Sequence, residues 1–291
     1  MCNSRVSRIA VGFFDGVHLG HRAILASSDV AVTFRVHPRQ IISPDSQPPL
    51  ILSPEERFSR IREAGARSVE VIDFDEKFAS MEPSAFVEFL SSVARKHSLS
   101  DSFEVRCGCD WRFGKGGAGG AQTLAKIGVN VTVVPFAEYE GEKISSTRIR
   151  SSIENGRMEE AAKMLGREFS VTGEVFHGKG EGSLLGFPTV NIRPLKSPSV
   201  RMVEPPRGVY AVCVSGVKAI ANFGLAPTFA DRAWTENVWE IHFLSDMPRT
   251  SFDEGAKIEL SILKFIRPER AFSSTEELRL QIAADCKEVE K

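Results

Sequence analysis

His18 and His21 close a glycine-rich stretch, Gly12-Phe13-Phe14-Asp15-Gly16-Val17-His18-Leu19-Gly20-His21. Glycine lets the backbone approach a ligand, and two imidazoles three residues apart on a helical first turn can face one phosphate group. A helix N-terminus already favours anions. Histidines placed there donate hydrogen bonds to the charge that develops during phosphoryl or nucleotidyl transfer, with no covalent intermediate. We read the stretch as a nucleotide-phosphate-handling turn of an ATP-using enzyme, with His18 and His21 catalytic and Gly12, Phe13, Asp15 and Gly20 around the nucleotide. Taken alone, it is equally a pair of surface histidines in a Gly-rich turn.

Two further segments carry phosphate chemistry. Ile144-Ser145-Ser146-Thr147-Arg148-Ile149-Arg150 sets hydroxyls and guanidinium groups at another helix start, where free N–H groups can hold a triphosphate tail. In the other half, His177-Gly178-Lys179-Gly180-Glu181-Gly182 leads to Gly186-Phe187-Pro188-Thr189-Val190-Asn191. A flap containing Gly178 and Gly186 can enclose phosphates with backbone N–H groups. Thr189 and Asn191, alternate residues on one strand face, offer neutral oxygens to Mg²⁺. On composition alone this segment is also a plain Gly-rich hairpin.

These groups need a scaffold, and the chain supplies two. In the first half, short apolar runs at Ile9 to Phe14, Asp29 to Phe34, Val69 to Phe74, Phe103 to Cys107 and Val129 to Val134 alternate with helical patterns. Ser53-Pro54-Glu55-Glu56 caps one helix, Gly65 stops it, and Pro83 opens another that runs to about His97. That rhythm predicts a doubly wound, Rossmann-like α/β domain with a parallel sheet over residues 1–150. Residues 151–168 read as a helical connector, stopped at Gly156 and Gly166. After it, strands at Phe169 to Val175, Gly208 to Val214, Lys218 to Phe223, Val238 to Phe243 and Lys257 to Phe265 follow without intervening helices. They predict an antiparallel β-barrel over residues 169–291, with a C-terminal helix opened by Ser274-Thr275-Glu276-Glu277 as a capping box. Leu278, Ile282 and Cys286 form its apolar stripe.

Composition narrows the field. A chain of 291 residues suits two domains, and 42% hydrophobic with 26% charged residues is ordinary for a globular protein. A net charge of -1 argues against a nucleic-acid surface. Asp15, His18 and His21 interrupt the one early apolar stretch, and no segment reaches membrane-span length, so a cytoplasmic protein without a membrane partner is expected. Five scattered cysteines, with Cys107-Gly-Cys109 the one close pair, lack zinc or redox spacing and read as buried thiols.

Together, the His18/His21 turn and the Ser146-Thr147-Arg148 segment resemble the adenylyltransferase half of the bacterial bifunctional riboflavin kinase/FMN adenylyltransferase family. Thr33 to Arg39, with His37-Pro38-Arg39, and Gly108-Cys109-Asp110-Trp111-Arg112-Phe113-Gly114 fit the same resemblance. The other half resembles riboflavin kinases through Gly186 to Asn191, Gly208-Val209-Tyr210-Ala211, Asn222-Phe223-Gly224 with Pro227-Thr228-Phe229, Glu240-Ile241-His242 and Phe265-Ile266-Arg267-Pro268-Glu269, in that order.

The resemblance implies that His18 and His21 stabilise the transferred phosphate and that Ser146, Thr147 and Arg148 hold phosphates. It places Asp110 on the nucleotide or flavin side, gives Thr189 and Asn191 to ATP and Mg²⁺, makes Glu240 the catalytic carboxylate, and puts Arg267 at a flavin or phosphate pocket. It implies ATP and Mg²⁺, with riboflavin, FMN and FAD as substrates or products, small-molecule partners only, and a monomer or weak homo-oligomer. Departures occur at Val36, Ser183, Ala226 and Arg249-Thr250-Ser251-Phe252, and only Arg22 to Ser28 separate His21 from the second strand. Retention of a single activity, and flavin binding without turnover, are the rival readings.

Overall fold

A computed structural model describes residues 6–99, 102–178, 186–195, 200–225, 236–245 and 252–290. The expectations placed on Lys179 to Ser183, on Ala226 to Phe229, on Arg249 to Ser251 and on Cys2 lie outside the described residues. The chain divides into two compact units, Met1–Arg148 with Val200–Met202, and Ile149–Ser199 with Val203–Lys291.

The first unit holds five parallel strands: β1 (Ser7–Val11), β2 (Val30–Phe34), β3 (Ser68–Ile72), β4 (Phe103–Gly108) and β5 (Asn130–Val134). Their order is β3-β2-β1-β4-β5. The connecting helices are α1 (Leu19–Leu25), α2 (Arg39–Ile42), α3 (Pro54–Glu63), α4 (Glu76–Ala79), α5 (Pro83–Lys96) and α6 (Ala121–Lys126). Both faces of the central strands are covered: Ile9, Val11, Val30 and Val32 on one face meet Phe86, Leu90 and Val93 of α5, and Ala10 and Ala31 on the other face are fully buried. The chain leaves β1 toward β2 and later returns on the other side at β4. A crevice is thereby created beyond the carboxyl ends of β1 and β4, where open α/β sheets bind ligands.

Local chemistry sets the boundaries. Ser53 accepts from the Glu56 N–H while the Glu56 carboxylate accepts from the Ser53 N–H, so the expected capping box opens α3. Strand β1 stops before the expected Phe14, because Phe14 has φ 59°, which breaks an extended ladder. A short hairpin, β6 (Glu138–Tyr139) with β7 (Glu142–Lys143), then leads to α7 (Ser146–Glu154).

The second unit is a closed antiparallel barrel ordered β10-β11-β12-β9-β8-β13. Its strands are β8 (Phe169–Phe176), β9 (Val190–Pro194), β10 (Gly208–Val214), β11 (Val217–Leu225), β12 (Asn237–Phe243) and β13 (Lys257–Pro268). Phe223, Trp239 and Ile192 stand opposite one another on β11, β12 and β9 and are almost fully buried, which identifies the interior face. Closure leaves no barrel edge open to stray pairing. The expected connector belongs with this unit: α8 (Met158–Leu165) packs on β8 and β13 and ends at Gly166 with φ 71°.

The last helix, α9 (Thr275–Glu290), lies over β11 and buries Val289 against Val209, Ala211 and Ile220, with Cys286 at the margin. Its cap differs from the expected box by one residue. Ser274 accepts from the Glu277 N–H, but the Glu277 carboxylate accepts from the N–H and hydroxyl of Ser273. The cysteines also correct the sequence reading, since Cys107 is buried but Cys109 is exposed.

Candidate active sites

The first site lies at the carboxyl end of β1. His18 is the N-cap of α1 rather than a first-turn residue, and its Nδ1 accepts the His21 N–H at 3.3 Å. That bond leaves the ring proton of a neutral His18 on Nε2, so the imidazole presents a donor at its far edge. The His21 ring stacks on it with centroids 3.6 Å apart and planes 19° apart, and Phe14 meets His21 edge-on. A methyl at Gly20 would stand 3.2 Å from His18 Cε1, and one at Gly12 would stand 2.8 Å from the Phe14 ring. Both glycines therefore make room for the aromatic groups of the turn.

Burial, then the neighbouring His18, then the Lys143 charge hold the His21 pKa well below the usual histidine value. Its imidazole is thus neutral near pH 7.

The turn is strained and externally held. Phe14 and Val17 have φ of 59° and 43°, unfavourable for residues with bulky or branched side chains. Asp15 is buried; its Oδ1 accepts the Ile51 N–H at 3.0 Å and its carbonyl accepts the Ser146 hydroxyl at 2.9 Å. These contacts make Asp15 a brace within the turn.

Arg57, a residue absent from the sequence-level site, is fully buried on α3. It donates to the Phe13 and Phe34 carbonyls at 2.8 Å each and to the Thr33 hydroxyl at 2.9 Å, and lies over the Phe13 ring at 3.9 Å. Burial lowers its pKa to about 10, against the opposing pull of Asp15 and Glu55. The available signal was positional: Arg57 shares the buried face of α3 with Ile61, one turn on. The Phe13 ring also meets His37 edge-on, bringing the His-Pro-Arg segment to the turn.

The remaining predicted groups approach from the carboxyl ends of β4 and β5. Ser145 proves to be the residue capping α7, since its hydroxyl accepts the Arg148 N–H at 3.2 Å. Thr147 stands in the first turn of that helix. Arg148 Nη1 donates to the Tyr139 and Glu142 carbonyls at 2.9 and 3.1 Å and so anchors the β6–β7 hairpin. Asp110 pairs with Lys143, Nζ to Oδ2 2.5 Å, and the ammonium lies 3.8 Å from the centre of the Phe136 ring. Lys143 is the second group that sequence reasoning passed over; its position directly before the Ile144-Ser145 segment was the only cue.

The second site lies on the outer face of the barrel. Asn222, Glu240 and Asn191 stand directly opposite one another on β11, β12 and β9, so their side chains leave the same face in a row. Asn222 Nδ2 donates to Glu269 Oε1 at 3.3 Å, and the Glu269 carboxylate lies against Gly224, where a methyl would be 2.0 Å away. A methyl at Gly178 would be 2.2 Å from Asn191 Nδ2, so glycine leaves the amide uncrowded. Thr189 immediately precedes β9, two residues before Asn191. His242 Nδ1 lies 3.0 Å from the Pro188 carbonyl, to which it donates as the Nδ1–H tautomer, and its ring meets Phe187 edge-on. These contacts tie the Phe-Pro-Thr segment to β12. Gly186 has φ 85°, a conformation that favours glycine.

Arg267 is committed elsewhere. Its Nε and Nη2 reach Asp285 Oδ2 at 2.9 and 2.7 Å, and Nη1 donates to the Pro268 carbonyl at 3.2 Å. Asp285 is buried, so the pair docks α9 on the barrel, and the structure does not bring Arg267 into the Glu240 row.

Neutral oxygens from Thr189 and from Asn191, the latter left uncrowded by Gly178, would suit a magnesium ion that takes most of its ligands from water and phosphate. Among the described residues no group of three or more His, Cys, Asp and Glu residues could hold a metal ion.

Known proteins align with this two-part arrangement. The FAD synthetase family model matches residues 2–148 and the riboflavin kinase family model matches residues 165–291. A bifunctional riboflavin kinase/FMN adenylyltransferase from Bacillus subtilis is 32% identical, covering 97% of this chain and 91% of that protein. The protein of the same description from Escherichia coli K12 is 32% identical over 95% of this chain and 90% of its own length.

A crystal structure from Streptococcus pneumoniae, described as a macrolide-efflux protein, superposes with a TM-score of 0.81 at 28% identity, covering 98% of this chain and 94% of that one. That description concerns the other protein. Among the described residues here, no helix is long and apolar enough to cross a membrane. With both halves matched in order and relatives aligned along nearly the full length, the chain belongs to the bifunctional riboflavin kinase/FMN adenylyltransferase family.

Proposed function

We propose that the barrel unit phosphorylates riboflavin to FMN with ATP, and that the α/β unit then transfers AMP from a second ATP to FMN, giving FAD and pyrophosphate. The observation that carries this reading is that the two family-matched segments fold as separate units, each with its own constellation of reactive groups.

In the barrel, Glu240 accepts the proton of the ribityl 5′-hydroxyl as its oxygen bonds to the γ-phosphorus and ADP departs with the electron pair. Asn191 and Thr189 hold ATP with magnesium, which when bound neutralises phosphate charge. In the α/β unit, an FMN phosphate oxygen bonds to the α-phosphorus as the bond to the bridging oxygen breaks, and pyrophosphate keeps that electron pair. His18, through Nε2–H, and neutral His21 donate hydrogen bonds to the transferred phosphate, on a turn braced by Asp15 and Arg57. Residues 1–150 and 169–291 are the two domains of this reading, joined through 151–168. It takes small molecules as its only partners, with a monomer or weak homo-oligomer working in the cytoplasm.

Chromatography of the products from riboflavin, ATP and magnesium tests the scheme. FMN followed by FAD is expected. FMN alone would restrict the chain to the kinase step, and neither product would leave flavin binding without turnover.

A further inference from the structure

With one exception, the kinase-matched part of the sequence folds in the second unit. The exception is Val200–Met202, which lies between β9 and β10 in the sequence and folds as part of the first unit. Its partner there is Leu50. The two stretches run parallel in a single bridge between Leu50 and Met202, and the Leu50 N–H donates to the Arg201 carbonyl at 2.8 Å. Val200, two residues before Met202, is buried.

Leu50, Ile51 and Leu52 are almost fully buried yet belong to no helix or sheet strand. Backbone N–H groups in such a place need individual partners. Arg201 supplies one for Leu50, and the Asp15 carboxylate supplies one for Ile51 at 3.0 Å. Immediately beyond, Ser53 caps α3, and α3 carries Arg57, which donates to the Phe13 carbonyl at 2.8 Å. The Ile51–Asp15 and Arg57–Phe13 braces of the His18–His21 turn thus both start within residues 51–57, and the residue just before that stretch is held by Val200–Met202.

We propose that Val200–Met202 is a positioning segment of the AMP-transfer site, contributed by the kinase half of the sequence: by fixing Leu50 it holds Ile51 and Arg57 where they brace the turn that carries His18 and His21. This inference rests on the reading of the α/β unit as an FMN adenylyltransferase.

The turn needs such support. Phe14 and Val17 have φ of 59° and 43°, conformations that persist only where the surroundings over-determine them. A release at Leu50 frees the start of the stretch that supplies those surroundings. A displacement of about 1 Å at reacting groups is enough to cost about a hundredfold in rate. The release is also local, because β1 pairs with β2 and β4 through ladders that do not involve Leu50. The α/β scaffold is therefore completed by residues well beyond Arg148, where its family match ends.

Replacing the segment in the full chain through Val200→Gly, Arg201→Ser and Met202→Gly keeps its length and removes its apolar anchors. FAD formation from supplied FMN is expected to lose about tenfold to hundredfold in kcat, with KM for FMN changed by less than about threefold. Hydrogen exchange of the Ile51 N–H should quicken while β1 and β4 keep their protection. Val200→Ile alone should retain the wild-type rate, and riboflavin phosphorylation should be unchanged in both proteins. Wild-type kcat with the segment replaced would overturn the proposal, as would unchanged Ile51 exchange. Loss of protection across β1 and β4, or of riboflavin phosphorylation, would equally overturn it, since the segment would then support the fold at large. A wild type that makes no FAD from FMN and ATP would overturn the adenylyltransferase reading instead, while Ile51 exchange still decides whether the segment holds the brace.

Discussion

The imidazole of His21 lies stacked on that of His18, centroids 3.6 Å apart, while the His21 backbone N–H is accepted by the His18 ring. The hydrogen bond sets the tautomer of a neutral His18, and the stack covers one face of the His21 ring. The lowered pKa keeps the His21 imidazole neutral, and a neutral His18 whose Nδ1 accepts carries its proton on Nε2.

The His21 pKa is lowered on folding, which gives stability a pH dependence of definite sign. Below its ordinary value of 6.5, the unfolded histidine binds a proton that the folded one does not, so stability falls as pH drops through that value. The slope is at most about 1.4 kcal/mol per pH unit. Thermal unfolding of the wild type from about pH 7 down to about pH 5 should show this loss. His21→Asn should flatten it, and an unchanged slope in that variant would contradict the assignment.

Arg57 is expected to matter more to the turn than any residue named from the motif. Arg57→Met takes the guanidinium donor from the Phe34 carbonyl, the Thr33 hydroxyl and the Phe13 carbonyl in a buried place, leaving the last with the Thr33 hydroxyl alone. A loss of about 3 kcal/mol from the first unit is expected in urea unfolding. FAD formation should collapse while riboflavin phosphorylation persists. Wild-type FAD formation in a folded Arg57→Met protein would show that the turn holds itself.

The two reactions should separate by substitution. Glu240→Gln is expected to lower FMN formation by about 10² to 10⁴-fold and to spare FAD formation from supplied FMN. His21→Ala should do the reverse. Either substitution silencing both reactions in a folded chain would contradict the division of labour between the two units.

Asp285 offers a test of how the last helix is docked. Asp285→Ala removes the carboxylate partner of the Arg267 guanidinium, whose side chain is 19% exposed, and a loss of about 3 kcal/mol is expected. Hydrogen exchange along Thr275–Glu290 should quicken more than exchange in the barrel strands. Uniform exchange across both would mean that the apolar contacts of Val289 and Cys286 suffice.

The sequence alone determined the two scaffolds, because periodicity and capping are local. Apolar runs punctuated by helices could only form a covered parallel sheet. Strands without helices between them pointed to a barrel, and Ser53 with Glu56 set a helix start that the structure keeps. It also marked the segments proposed to carry phosphate chemistry, since glycine, histidine and hydroxyl clusters are readable in one dimension.

Tertiary structure decided which donors serve the fold. Arg57 became the brace of a turn 44 residues away, Arg148 became the anchor of a hairpin, and Arg267 was drawn to Asp285 on the last helix. A guanidinium binds a carbonyl, a carboxylate or a phosphate with the same N–H groups. Its partner is set by what the folded chain brings within reach, and sequence spacing does not encode that distance.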